Sequence, residues 1–512
     1  MGFLRRHAHV FLIACLLGGA LVLRADGITA PSVESRELHN ALVARQLYLG
    51  DGSELPLWRQ EVLRELSDVA QPIEPPVLDL FAASAFRITD GEHLWIPRLA
   101  SAMLWVGGGI FLFLIALRVT TREGALIALA LYLFWPYAVW LSRLYMPDGM
   151  MVALLLAAAL AVIRYWERPS WRRLVAAGAI SSVATAAKPG VALIFLVSLF
   201  TVIAISRGAF RETVVRGRLP LFIVLASTLT AAYYVYGVYV HDFLADESGG
   251  RVQPRLIATE WFWRGWWEMV SSVLAFPQRQ SDLALAPLAV ALGGIAVARR
   301  GMPRAVLAGL ALGYLTFAFV VPGFTATHAY YALPLIPILA LAIGTFAGFV
   351  LERLRTSAAS ARYAVVAFAA LAIGVAVFKS HAVLSGEPPH RDIADYRRIG
   401  EITGHTAHAI VVDVRLRSPV SYWGWIVGRY WYPPTPSEDL PSSGDLFPPW
   451  IDPATAEFLV VVEVSELVTE GRLRAFTREL PLVARTDRFA IFDLRDGRAV
   501  AAESRSNADG SG

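Results

Sequence analysis

The chain has 512 residues, of which 56% are hydrophobic and only 17% charged, and its formal net charge is +4. A soluble chain carries roughly 25% charged residues, so a soluble globular enzyme is excluded, and so small a net charge gives no ground for nucleic-acid binding. The single cysteine, Cys15, lies inside an apolar run, which excludes intrachain disulfides and a thiolate metal site.

The first apolar run, Val10 to Leu23 after Arg5 and Arg6, has the basic start and short core of a signal peptide. The sequence after it is a poor small-x-small cleavage site and many spans follow, so it reads as an uncleaved first helix. About 20 apolar residues suffice to cross a bilayer. On that basis spans are predicted at 8–24, 94–117, 123–142, 149–165, 173–187, 189–206, 219–239, 281–298, 305–322, 329–350 and 361–379, eleven in all, with Lys188-Pro189-Gly190 dividing two of them.

Basic residues in short loops set the orientation. Alternate connections carry Arg5 and Arg6, Arg118 and Arg122, Arg164 to Arg173, Arg207 to Arg218, Arg299 to Arg304, and Arg353 to Arg362. The opposite short loops carry only Arg143 and Lys188. This predicts an inner (plasma) membrane protein with a cytoplasmic N-terminus and everything from about 380 onward extracytoplasmic.

Three sizeable pieces then lie outside: 25–93, 240–280 and 380–512. The first has helical periodicity over Leu38 to Leu49 and Leu57 to Val69, as for helices at the interface. The second contains Glu260-Trp261-Phe262-Trp263-Arg264-Gly265-Trp266-Trp267, which reads as an interfacial anchor ahead of a sugar platform. In the third, Ala409 to Val414, Phe458 to Val464 and Phe489 to Leu494 read as strands, and Asp392 to Ile402 and Leu467 to Thr477 as helices. Tyr432 to Pro436 and Pro441 to Pro449 read as loops. The expected organisation is a transmembrane domain at 1–380 that includes loop 25–93, a small α/β domain at 381–500, and a disordered tail at 501–512.

The polar residues that the spans do not explain all fall on the outer side. They are Glu34, Arg36, Glu37, Arg45 and Glu74-Pro75-Pro76 in loop one, Arg143 and Asp148 in the next short loop, Lys188 in the one after, and His328-Ala329-Tyr330-Tyr331 at the tenth span. Each has a plain structural reading: Asp148 as a helix cap, Lys188-Pro189-Gly190 as a tight turn, His328 as an interfacial neighbour of the tyrosines, Glu74-Pro75-Pro76 as a stiff extended stretch, and Arg36 with Glu37 as a local pair. Their agreement on one side favours a shared task. Arginine offers a planar fork for phosphate oxygens and Lys188 a point charge. Glu37 or Glu34 could take the proton from an acceptor hydroxyl as a glycosidic bond forms.

An ordered set of motifs carries a family resemblance: Arg36-Glu37 followed by Ala44-Arg45, Glu74-Pro75-Pro76, Arg98-Leu99, Met146-Pro147-Asp148, Lys188-Pro189, and His328-Ala329-Tyr330-Tyr331 before Leu333-Pro334-Leu335-Ile336-Pro337. With these the chain resembles the GT-C-fold glycosyltransferases that use polyprenyl-phosphate sugars, the protein O-mannosyltransferase and lipid A aminoarabinose transferase superfamily, over roughly 1–380. Tyr422-Trp423-Gly424 and Gly428-Arg429-Tyr430-Trp431 resemble some relatives' outer domains more loosely. The family's Asp-Glu at the loop-one site stands here as Arg36-Glu37, so either Glu37 serves alone or Glu34 takes the role. The resemblance implies that Asp148 positions donor or acceptor and that Lys188 and Arg36 meet the phosphate.

The expected fold is therefore an α-helical, polytopic, GT-C-like membrane protein with a small C-terminal α/β domain. The expected activity is transfer of a sugar from a polyprenyl-phosphate donor to an extracytoplasmic acceptor. The expected site has Glu37, Glu34 and Asp148 as catalytic carboxylates and Arg36, Arg45, Glu74, Arg143, Lys188, His328, Tyr330 and Tyr331 as substrate contacts. No metal ligands and no obligatory cofactor are expected, a divalent metal being used by only some of the superfamily; the partners are donor, acceptor and membrane lipids. Three other readings stand beside it: a polysaccharide polymerase or ligase, a transporter or flippase of lipid-linked sugars, and an inactive sensing relative.

Overall fold

The computed structural model describes residues 2–72, 74–188, 191–239, 253–277, 281–356, 359–386, 389–412, 418–431, 451–462, 471–478 and 480–495. In chain order its first helices are α1 (Gly2–Ala25), α2 (Ser35–Leu49), α3 (Leu57–Val69), α4 (Val77–Thr89), α5 (Trp95–Val119), α6 (Arg122–Phe134), α7 (Pro136–Leu141), α8 (Pro147–Glu167), α9 (Trp171–Ala187) and α10 (Val191–Ser206). The chain divides into two units. Met1–Thr29, Ile73–Leu78 and Leu94–Gly386 form a helical unit; Ala30–Pro72, Asp79–His93 and Glu387–Gly512 form a second unit built on a sheet. Loop one, except for 25–29 and Ile73–Leu78, thus groups with the C-terminal residues.

In the helical unit a helix stands at each of the eleven expected spans. Among the described residues six helices are long and apolar enough to cross a membrane: Trp95–Val119, Pro147–Glu167, Arg218–Tyr239, Met302–Val320, Ala329–Arg353 and Tyr363–Leu384. His9–Ala25, Val191–Ser206 and Asp282–Val297 are apolar but shorter. The stretch expected as one helix over 123–142 is two, α6 and α7, parted at Trp135, whose backbone is extended. The cause is Pro136, which has no N–H to donate and excludes helical geometry from the residue before it.

Helices in lipid gain little from the hydrophobic effect against one another, so small residues that allow close approach decide where they cross. Gly309 and Gly313 of the Met302–Val320 helix do this against α10. A Cβ on Gly309 would lie 2.9 Å from the Leu199 Cα, and one on Gly313 2.8 Å from the Phe195 Cα. Deeper in the unit Trp105 and Tyr132 stack at 4.4 Å, and the Tyr132 hydroxyl donates to the Trp105 carbonyl at 3.0 Å.

The second unit holds a five-stranded sheet: β1 (Ala409–Val412), β2 (Gly428–Trp431), β3 (Phe458–Val461), β4 (Leu482–Arg485) and β5 (Ala490–Asp493), in the order β2-β1-β3-β5-β4. β1 runs parallel to β2 and β3, while β5 runs antiparallel to β3 and β4. Alternate residues face opposite layers, as the two-residue period requires. Ile410, Val412, Leu459, Val461 and Phe492 pack with Leu473. Val411, Val460, Phe458 and Ile491 pack with Tyr396 and Ile399 of the His390–Ile402 helix. Both faces of the central strands are covered, which is why they read as unbroken apolar runs.

Of the expected outer elements, the loop-one helices, the tryptophan helix (Glu260–Leu274), β1, β3, β5 and the His390–Ile402 helix are present. The helix expected from Leu467 is described from Gly471 to Thr477. β2, β4 and the Ser418–Gly424 helix were not expected. The expected loops at 432–436 and 441–449 and the tail at 501–512 lie outside the described residues.

Gly313→Leu is expected to force the Met302–Val320 helix away from α10 and cost about 1–3 kcal/mol, the usual range for overpacking. A thermal melt of detergent-purified protein checks this, with Gly374→Leu as the control, since nothing lies within 4 Å of the Gly374 Cβ position.

Candidate active site

In the helical unit the site begins where α8 starts. Pro147 occupies the first helical turn, which its fixed φ suits. Asp148 follows it, but the cap residue is Met146 and no side-chain capping bond forms. The Asp148 carboxylate turns instead to Lys188, which follows the last residue of α9: Oδ1 accepts from Nζ, and the two side chains are only 1% and 4% exposed. The other carboxylate oxygen, Oδ2, is buried and accepts no hydrogen bond among the described residues. Lys188 Nζ also lies 4.7 Å and 4.5 Å from the ring centres of Tyr330 and Tyr331. Those ring faces stabilise a desolvated ammonium electrostatically. His328 joins the same aromatic group, its ring 5.2 Å from that of Tyr330 and its Nδ1 2.7 Å from Thr327 Oγ1. Four expected residues, Asp148, Lys188, Tyr330 and Tyr331, are thereby brought into direct contact, with His328 at their edge. Pro189 and Gly190, which separate the spans, lie outside the described residues.

Arg143 is buried in the turn between α7 and α8. Its neighbour Ser142 accepts from Nε of Arg24 at 2.7 Å, and the same guanidinium donates to the Leu133 and Ala20 carbonyls at 3.0 Å each. Arg24 is fully buried. It spans the α6–α7 break, where the extended Trp135 leaves carbonyls without helical partners. The sequence reading passed over Arg24 as an ordinary basic residue closing a span; its only signal was a lone charge at the tail of an apolar run. Arg98 is also buried and donates to the Ile28 carbonyl at 2.8 Å. Glu74 is half-buried.

Beside the α6–α7 break lies a cavity of about 280 Å³, lined by Phe134, Trp135, Pro136, Phe276, Ile373 and other apolar residues, with Lys379 the one charged side chain among them. Trp135, one of the lining residues, donates its indole N–H to the Val273 carbonyl at 3.0 Å.

Apart from Glu74, the expected loop-one site residues belong to the sheet unit. Glu34 is exposed, Arg36 half-buried, and Glu37, in the first turn of α2, fully buried. Arg45 is held by Glu92 through Nε at 2.9 and 3.1 Å, donates Nη1 to the Tyr422 carbonyl at 3.0 Å, and lies 4.1 Å from the ring centres of both Tyr422 and Trp425. Burial alone would lower its pKa, but Glu92 and Tyr422 outweigh that and raise it above the ordinary guanidinium value. Burial, with Glu92 adding to it, raises the Tyr422 hydroxyl pKa. Arg45 thus ties α2 to Glu92, near the end of loop one, and to Tyr422 and Trp425 of the C-terminal sequence. Among the described residues no three His, Cys, Asp or Glu side chains gather as a metal site.

Against known proteins, residues 73–234 match the family described as dolichyl-phosphate-mannose-protein mannosyltransferase. That stretch contains Glu74, Arg98, Arg143, Asp148 and Lys188. Among solved structures, ArnT from Cupriavidus metallidurans in the apo state aligns with a TM-score of 0.59 and 14% identity over 95% of this chain and 98% of that one. ArnT from the same organism bound to undecaprenyl phosphate aligns at 0.58 and 14% over 94% and 98%. The archaeal oligosaccharyltransferase AglB from Archaeoglobus fulgidus, in complex with an inhibitory peptide and a dolichol-phosphate, aligns at 0.52 and 12% over 93% and 73%. No curated protein sequence matches significantly. The likeness gives the fold: a GT-C-like helical membrane protein with a small C-terminal sheet domain, as expected from the sequence.

Removing one member of a buried ion pair strands the other and costs about 3–5 kcal/mol, whereas replacing both is often neutral. Lys188→Met is therefore expected to lower the melting temperature sharply, and Asp148→Asn combined with Lys188→Met to restore most of the loss. A double-mutant thermal cycle measures it; a double variant no more stable than Lys188→Met would deny the coupling.

Proposed function

We propose that this chain, which has the GT-C fold of the polyprenyl-phosphate-dependent glycosyltransferases and matches a mannosyltransferase family over residues 73–234, transfers a sugar from a polyprenyl-phosphate donor to an extracytoplasmic acceptor. The observation that carries the reading is the buried Asp148–Lys188 pair under Tyr330 and Tyr331, inside the stretch that the family model matches. The lipid phosphates held by ArnT and AglB support a donor of that class. The apolar cavity at the α6–α7 break supports it too, since an isoprenoid tail needs a groove between helices.

In this reading the acceptor oxygen attacks the anomeric carbon as the bond from that carbon to the phosphate oxygen breaks. The polyprenyl phosphate leaves with the bonding electrons. Lys188, with Arg143 and Arg36, matches its charge, which is what makes it a good leaving group. The acceptor hydroxyl proton passes to a carboxylate, assigned to loop one as Glu37 or Glu34, and Asp148 holds Lys188 in place and orients the reacting groups. Glu74, His328, Tyr330 and Tyr331 contact substrate, while Arg45 is assigned to holding α2. The protein sits in the inner membrane with its N-terminus cytoplasmic. No cofactor is obligatory, so EDTA is expected to leave transfer unchanged.

The test is sugar transfer from a polyprenyl-phosphate donor by purified protein. A general base contributes about 10²- to 10⁴-fold, so either Glu37→Gln or Glu34→Gln is expected to lower kcat by that order, and Asp148→Asn to lower kcat/KM. Full activity in both glutamate variants would remove the base from loop one. Full activity in all three would overturn the site.

A further inference from the structure

The sheet unit contains a second arginine on the same indole as Arg45, and the two differ in one respect. Arg59, in the first turns of α3, lies with its guanidinium 4.8 Å from the ring centre of Trp425 and 5.1 Å from that of Trp58. Trp58 is stacked on His405 at 4.3 Å and meets Trp425 edge-on at 5.9 Å. Arg45 on Trp425 has a carboxylate, Glu92, and a carbonyl. Arg59 has neither: its contacts among the described residues are the two indoles, and its buried Nε donates to nothing there. The acid two residues on, Glu61, lies 3.8 Å from His408.

The scaffold under Arg59 is also strained. His405 and Trp425 have φ of +57° and +53°, in the left-handed region that favours glycine, and His405 Nδ1 is tied to the Gly424 carbonyl at 2.8 Å. Side chains are kept in that region only where the surroundings fix them, which is a feature of binding sites. Here one strained residue, Trp425, supplies a ring that meets the guanidinium, and the other, His405, backs the second ring, Trp58.

A guanidinium is a planar fork of five donors matched to phosphate and carboxylate oxygens. Pre-ordered on aromatic rings, it loses less freedom when it binds. We propose that Arg59, positioned by Trp58 and Trp425, is a binding site for an oxyanion, a phosphate or carboxylate group, on the sheet unit. Neither the transferase reading nor its site residues include it, and it is measured by binding alone, so its failure and the failure of that reading are separate.

The experiment is ligand-observed NMR on the full chain in detergent, with inorganic phosphate, glucose 1-phosphate, glucuronate and glucose as probes. The three anions are expected to bind and glucose not to. Arg59→Gln is expected to weaken the anions at least ~10-fold, about 1.4 kcal/mol. Tighter binding of glucose 1-phosphate than of phosphate assigns the site to an anionic sugar, and equal binding assigns it to the anion alone; both uphold it. Unchanged anion binding in a folded Arg59→Gln variant, or glucose binding as tightly as the anions, overturns it. Should the variant not fold, phenylglyoxal labelling of the wild-type chain decides: Arg59 is expected to be protected by glucose 1-phosphate and not by glucose, and equal labelling overturns the site.

Discussion

An ion pair is buried in the helical unit where the start of α8 meets the end of α9. Asp148 opens α8 and Lys188 follows α9, and both side chains are almost wholly withdrawn from solvent. Two charges in such a place cost several kcal/mol each in lost hydration. Three things offset that cost: the pair itself, the two tyrosine faces over the ammonium, and the positive end of the α8 dipole beside the carboxylate. Burying hydrophobic side chains there would have served stability at least as well. That the chain keeps a carboxylate, an ammonium and a tyrosine pair together is the physical ground for reading the place as chemical.

The neighbouring irregularities follow the same logic. Pro136 breaks the helix between α6 and α7, and the carbonyl of Leu133 that would otherwise be left over is met by Arg24. Through Ser142 the same guanidinium fixes the turn that carries Arg143 and leads into Asp148. The break also leaves the apolar cavity between Trp135, Phe276 and Ile373. One proline thus accounts for a kink, a buried cation and a groove, all within the unit that holds the Asp148–Lys188 pair.

Legibility in the sequence tracked how local each signal was. Long apolar runs placed a helix at every expected span, and Val-rich runs buried on both faces placed β1 and β3. β2 escaped notice because Gly428-Arg429-Tyr430-Trp431 has neither an apolar run nor clean alternation, and its pairing with β1 is a tertiary fact. β4 is an edge strand with mostly exposed residues, so nothing in its composition had to be apolar. Among site residues, Asp148, Lys188, Tyr330 and Tyr331 were picked out by motif, but that Lys188 pairs with Asp148 rather than standing alone belongs to the packing. Arg24 and Arg59 were missed because a single arginine at a span end or in a surface helix is common; what distinguishes them is the absence of a carboxylate partner among the described residues.

The placement of the charges also weighs between transferase and carrier. Coupled carriers set ionisable groups near the bilayer midplane, on helices unwound at mid-span. Here Asp148 stands in the first turn of a helix and Lys188 just past the last residue of another, while the body of α8 is lined by Leu, Ala, Val and Met. α6 and α7 are parted by proline, but Arg24, buried at that break, is bound to protein acceptors. Charges held at helix ends fit the proposed transfer from a lipid phosphate better than they fit a carrier's alternating access.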